Sequence, residues 1–186
     1  MSNSEVGQAV ALLAAVTGVV VRPYSTVDFG REQNQECISA LVPRPQGLAF
    51  LFRIREHLPD GLVAFIGTTR SLALEPHPDY VELVIGPGSD QFAILEHART
   101  DAANYGMATA AISAKLREFD QRLGITLVHA ETDTVEFDLL SAPADTRQFA
   151  EELYAFCPDI VEQGVGSVSA LAEMIDVTGR VYLWWD

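Results

Sequence analysis

Positive charge is scarce in this sequence. Lys and Arg together number 12 against 26 Asp and Glu, for a net charge of −14 over 186 residues, and Lys115 is the only lysine. Sequence-independent binding of DNA or RNA needs cations that displace phosphate counterions, so no nucleic-acid partner is expected. Docking on anionic lipid is disfavoured for the same reason. Cysteine is sparse too: Cys37 and Cys157 stand alone, neither in a CxxC pair. That is no disulfide framework, and a reducing cytoplasm is the expected compartment. Long hydrophobic runs are missing. The run from Ala9 to Val21 falls short of the roughly 20 residues that span a bilayer. Glu5 precedes it with no Lys or Arg, so the basic flank of a signal peptide is absent. His57, His77, His97 and His129 have no zinc-type spacing, and neither an EF-hand loop nor an HExxH string occurs. No metal and no cofactor is expected.

What is present suits one domain, with 48% hydrophobic residues to build a core. Charge is uneven. Residues 1–80 carry a net −2 and residues 81–186 a net −12, which marks a soft subdivision near residue 80 within a single 1–186 domain. The acidic half reads first as a solvated, solubilising surface; a basic partner or a divalent metal is the alternative.

The pattern of elements points to fold class. An alanine-rich helix over 5–17 ends at Gly18, and Val19-Val20-Val21 favours a strand through β-branching. A loop is expected over 25–36, then a strand from Cys37 to Val42. Pro45 opens a helix reaching Leu58, with Leu48, Leu51, Phe52 and Arg55 repeating. Leu62 to Ile66 is an apolar run suited to an interior strand. A surface loop over 75–79 and a strand from Val81 to Ile85 follow. In the second half, Ser89 and Thr109 are placed to cap helices, the second with Ile112, Leu116, Phe119 and Leu123 on one face. Ile125 to Val128 and the alternating Asp133 to Leu139 read as a hairpin, the latter with one wet face. Asp145 begins a capping box and Ser167 caps a further helix. Arg180 to Asp186 is expected as an ordered strand inside the sheet. Hairpins break the regular alternation that a doubly wound fold requires. The expected class is therefore α+β: a single mixed, largely antiparallel sheet with helices packed on it.

Several late motifs come in order: Asp101, Asn104-Tyr105-Gly106, Ala130, Asp133 and Glu136, then Tyr154 to Val161 with Cys157-Pro158-Asp159, then Gln163-Gly164, and last Tyr182-Leu183-Trp184-Trp185-Asp186. Over about residues 90–186 the sequence resembles the bacterial domain-of-unknown-function family 4253, whose members carry a Cys-Pro-Asp segment, a Gln-Gly pair and a terminal Trp-Trp-Asp. The resemblance implies bacterial origin and a shared fold, not a reaction. It marks Asp101, Asn104, Tyr105, Asp133, Glu136, Cys157, Asp159, Gln163, Trp184 and Asp186 as candidate motif-site residues.

The chemistry open to them divides into two readings. Cys157 as nucleophile needs a histidine base and a depressed pKa; otherwise it is a small buried hydrophobe before Pro158. Asp133 and Glu136 point to opposite faces of a strand, so a carboxylate site needs Asp101, Asp159 or Asp186 as well. Gly86-Pro87-Gly88-Ser89 lacks a Walker lysine and sets Asp90 where a phosphate would sit, so nucleotide binding is not favoured. Asn104-Tyr105-Gly106 and Gln163-Gly164 read first as turns. Trp184 and Trp185 point to opposite faces: core if both are covered, an aromatic ledge if one is open. The first function reading is a non-enzymatic interaction module of the immunity-protein kind that covers a basic protein partner. The alternative is a hydrolase-like enzyme with a pocket near Cys157, Asp159 and the C-terminal strand.

Overall fold

A computed structural model describes residues 3–25, 34–67 and 79–186. They form two compact units: residues 1–99 with 130–132, and residues 100–129 with 133–186. Most of the loop expected over 25–36, and that over 75–79, lie outside the described residues, as does His77.

The first unit contains α1 (Asn3–Thr17), β1 (Arg22–Tyr24), β2 (Asn34–Pro43), α2 (Arg44–Arg55), β3 (Leu62–Gly67), β4 (Tyr80–Pro87) and α3 (Ala93–Ala98). Its strands run in the order β1-β2-β4-β3, and each neighbouring pair is antiparallel. All six residues of β3 are buried, as a strand covered on both faces requires. On α2 the expected stripe is rotated. Gly47, Leu51 and Ile54 face inward while Phe52 is exposed, because Gly47 brings the helix close against Val81 and Ile66. Val19 and Val20 are exposed and precede the strand rather than form it; β1 begins at Arg22. Propensity yields here to pairing, since β1 takes its register from Ser39 and Ile38 on β2. Ser89 caps nothing. Asp90 accepts the Phe92 N–H at 2.9 Å one residue later, and α3 starts at Ala93.

The second unit contains α4 (Thr109–Leu123), all but the last residue of β5 (Ile125–Ala130), β6 (Thr134–Leu139), α5 (Thr146–Phe156), α6 (Val168–Thr178) and β7 (Arg180–Trp184), with β6 between β5 and β7. Ile112, Leu116 and Phe119 are buried on α4 as their spacing requires. Phe119 meets Phe149 edge-on at 5.3 Å and Phe156 at 6.2 Å. The N-cap of α4 is Ala108, with Thr109 the first helical residue and no side-chain cap. Asp145 and Ser167 do cap: their side chains accept the N–H of Gln148 at 2.9 Å and of Ala170 at 3.1 Å. β6 and β7 are antiparallel, with Thr134 opposite Trp184 and Glu136 opposite Tyr182. β7 is ordered, but it ends the strand order instead of lying inside the sheet. The fold class is α+β, with a mixed and largely antiparallel sheet.

Candidate functional site

The late motifs meet at the C-terminal end of β7. α5 closes at Cys157, Pro158 cannot continue it, and Asp159 leads into a π-helical turn over Ile160–Val165. That turn forms because the Pro158 carbonyl accepts both the Val161 and Glu162 N–H groups, and Gly166 N–H reaches back to Val161. It sets Cys157 and Asp159 beside the last residues of β7.

Register shows what these side chains do there. Trp185 N–H donates to the Asp133 carbonyl at 3.0 Å and Leu139 N–H to Gly179 at 2.8 Å. Odd-numbered β7 residues therefore direct their backbone groups at β6, and even-numbered ones direct theirs away from it. The Cys157 thiol donates to the Trp184 carbonyl at 2.9 Å, and Asp159 Oδ2 accepts the Asp186 N–H at 2.9 Å. Side chains thus satisfy outward backbone groups at this end of an edge strand, a place where open groups are a liability. Trp185 is buried, stands edge-on to Phe156 at 5.4 Å and donates its indole N–H to the Phe156 carbonyl at 3.3 Å. Trp184 is half-buried and Tyr182 exposed on the opposite face.

Asp159 is 3% exposed and fully engaged. Burial pushes its carboxyl up. The Asp186 N–H, the Gln163 amide at 2.9 Å and the Tyr105 hydroxyl outweigh that and hold it below the usual carboxylate range. Hydrogen bonding to Asp159 in turn pushes the Tyr105 hydroxyl up to about 12. Burial pushes the Cys157 thiol up to about 11, against the hydrogen bonds it makes. A thiol that is buried, protonated and donating to a carbonyl is the opposite of an activated nucleophile.

Beside this clasp lies a cleft of about 210 Å³, lined by Asp101, Ala102, Ala103, Asn104, Asp133, Trp185 and Asp186. No cation lines it. Asp133 accepts the Thr134 hydroxyl at 2.9 Å; Asp101, Asn104 and Asp186 are exposed. Of the candidate residues, Asp101, Asn104, Asp133 and Asp186 line the cleft, while Tyr105, Cys157, Asp159, Gln163 and the Trp184 carbonyl form the clasp. Glu136 stands apart, 3.6 Å from His129 and 3.3 Å from Arg180 on the sheet. Among the described residues no group of three His, Cys, Asp or Glu is placed to hold a metal ion. Among the described residues no helix is long and apolar enough to cross a membrane.

The family model for the domain of unknown function DUF4253 matches residues 82–186. The chain belongs to that family. No curated protein and no solved structure matches it. The DUF4253 match takes in every candidate residue above, and it begins at Glu82, a residue that spacing did not single out. Glu82 is wholly buried on β4, where Oε1 accepts the Ser39 hydroxyl at 2.5 Å and Arg22 at 3.1 Å while Oε2 has no partner. Its only sequence signal is a lone carboxylate in an otherwise apolar strand.

Proposed function

We propose that this DUF4253 chain is a non-enzymatic interaction module of the immunity-protein kind, acting in a reducing bacterial cytoplasm and covering a basic segment of a protein partner. The observation that carries this reading is the cleft whose carboxylates, Asp101, Asp133 and Asp186, face no cation among the described residues of its walls. A guanidinium or ammonium group from a partner supplies the missing charge, and the surrounding net −12 of residues 81–186 speeds its approach. Two buried, unpaired cysteines suit a reducing compartment. The hydrolase-like alternative loses support because its nucleophile is committed to the Trp184 carbonyl.

Titration calorimetry at low salt with a short oligo-arginine peptide tests the reading. The native chain binds, and Asp101→Asn with Asp186→Asn weakens binding several-fold. A control with the same charge loss on exposed helix positions, Glu151→Gln with Glu173→Gln, changes it far less. Equal loss in both pairs leaves only diffuse attraction and sinks the cleft as the site. No retained partner from lysate, together with turnover in a substrate screen, favours the enzyme.

A further inference from the structure

Val181-Tyr182-Leu183-Trp184-Trp185 is an uncharged apolar run without proline, and it makes up most of β7. A segment of this kind on an open sheet edge is a template for pairing with another chain. Among the described residues β7 ends the strand order, and its even-numbered residues direct their N–H and carbonyl groups away from β6. Side chains from outside the strand hold three of these outward groups. Thr178 Oγ1, at the end of α6, accepts the Arg180 N–H at 3.1 Å. Beyond α5, the Cys157 thiol donates to the Trp184 carbonyl at 2.9 Å and Asp159 Oδ2 accepts the Asp186 N–H at 2.9 Å. Pro158 cannot continue α5, so the chain turns there and the residues on either side of it both reach the edge.

The held groups match one particular pairing. Two copies of β7 lying antiparallel about a two-fold axis through Tyr182 would set Arg180 opposite Trp184 of the second copy. Residues opposed through their outward groups exchange main-chain bonds, so the Arg180 N–H of one copy would meet the Trp184 carbonyl of the other. Those are the groups that Thr178 and Cys157 occupy. We propose that Thr178 and the Cys157-Pro158-Asp159 segment guard the outer edge of β7 against antiparallel pairing with a second copy of this chain. The guard acts whatever the cleft binds, and its test is separate from that of the cleft.

Sedimentation velocity on the full chain, with Cys157→Ala and Thr178→Ala combined, tests the guard. The double variant frees the Trp184 carbonyl and the Arg180 N–H. It self-associates at a concentration about ten-fold or more below that of any association of the native chain, as two added main-chain bonds across the pair require. In hydrogen exchange its Arg180 and Trp184 amides gain protection as concentration rises, while the amides of α4 do not. A variant with the native far-ultraviolet dichroism that sediments as the native chain does overturns the proposal. So does association that leaves the Arg180 and Trp184 amides unprotected, because the contact then lies elsewhere. Where the void left by Cys157→Ala prevents folding, Cys157→Val with Thr178→Ala fills it without restoring a donor, and the same two readings decide. Failure of both double variants to fold also overturns the guard, since these bonds would then hold the unit together instead of covering an edge.

Discussion

Asp159 accepts the backbone N–H of Asp186 at 2.9 Å across 27 residues of chain. The contact joins the Cys-Pro-Asp segment to the Trp-Trp-Asp segment, so the two motifs that mark the family are halves of one structural device. With the Cys157 thiol on the Trp184 carbonyl, they fasten the end of a strand that, among the described residues, lies at the edge of the sheet beside β6.

Removing the carboxylate strands its donors. Asp159→Ala leaves the Asp186 N–H, the Gln163 amide and the Tyr105 hydroxyl without their acceptor, at a cost of about 2 kcal/mol, read as a lower urea midpoint. Asp159 is held below the usual carboxylate range. A depressed folded-state pKa contributes stability that is present above the unfolded value and lost as pH falls through the folded one. Native chain therefore loses this contribution only below about pH 4, and Asp159→Asn flattens stability against pH in that acidic window. An Asp159→Ala midpoint equal to the native one would show that water replaces the acceptor.

Neither thiol is available in the folded chain. Cys37 is pushed up to about 12 by burial first and by the nearby Glu36 second, and Cys157 to about 11 by burial. Iodoacetamide at pH 8 labels neither until denaturant is added. Rapid stoichiometric alkylation of Cys157 in the native state would return the nucleophile to consideration.

Arg22, partly exposed, and the wholly buried Glu82 form an ion pair in the first unit, reaching from β1 past β2 to β4. Arg22→Ala leaves a buried carboxylate with Ser39 as its one remaining donor, and costs about 3 kcal/mol. Burial raises the Glu82 pKa, opposed by Ser39 and Arg22. The sign is then the reverse of Asp159: the contribution of Glu82 is full below its unfolded pKa and is lost as pH rises through the raised folded one. Glu82→Gln removes that decline above the ordinary carboxylate range and recovers part of the Arg22→Ala loss in the double variant. Strict additivity of the two substitutions in thermal melts would show that the pair is not coupled.

The two tryptophans differ in what they hold. Trp185→Ala empties a site that is 3% exposed and loses the indole bond to Phe156, costing about 3–5 kcal/mol. Trp184→Ala, on the half-open face, costs under about 1.5 kcal/mol. Deleting Trp184 to Asp186 removes the clasp's acceptor and donor together, and the product is insoluble or unfolded. A soluble truncation with an unchanged melting temperature would show that the segment adds nothing to the core.

Much of this fold is legible in local patterning. The α4 stripe of Ile112, Leu116 and Phe119, the caps at Asp145 and Ser167, and the apolar β3 run follow from periodicity and from side-chain competition for the first helical N–H groups. Local preference gives way where it meets a neighbour. Three valines outside β1 read as strand, and Phe52 read as core until Gly47 turned α2 against Val81.

The candidate site divides in the same way. Sequence alone determined which residues belong together as motifs, that Trp184 and Trp185 face opposite ways, and that the second half is acidic, because alternation along a strand and formal charge are local properties. Tertiary structure decided that β7 lies at the edge, that Trp185 and not Trp184 is core, and that Cys157 and Asp159 are spent on backbone groups. It also parted Glu136 from Asp133 and brought Asp101, Asn104, Asp133 and Asp186 to one cleft. These outcomes depend on strand order and on register between segments tens of residues apart, which are fixed by collective packing and leave no trace in the spacing of any one segment.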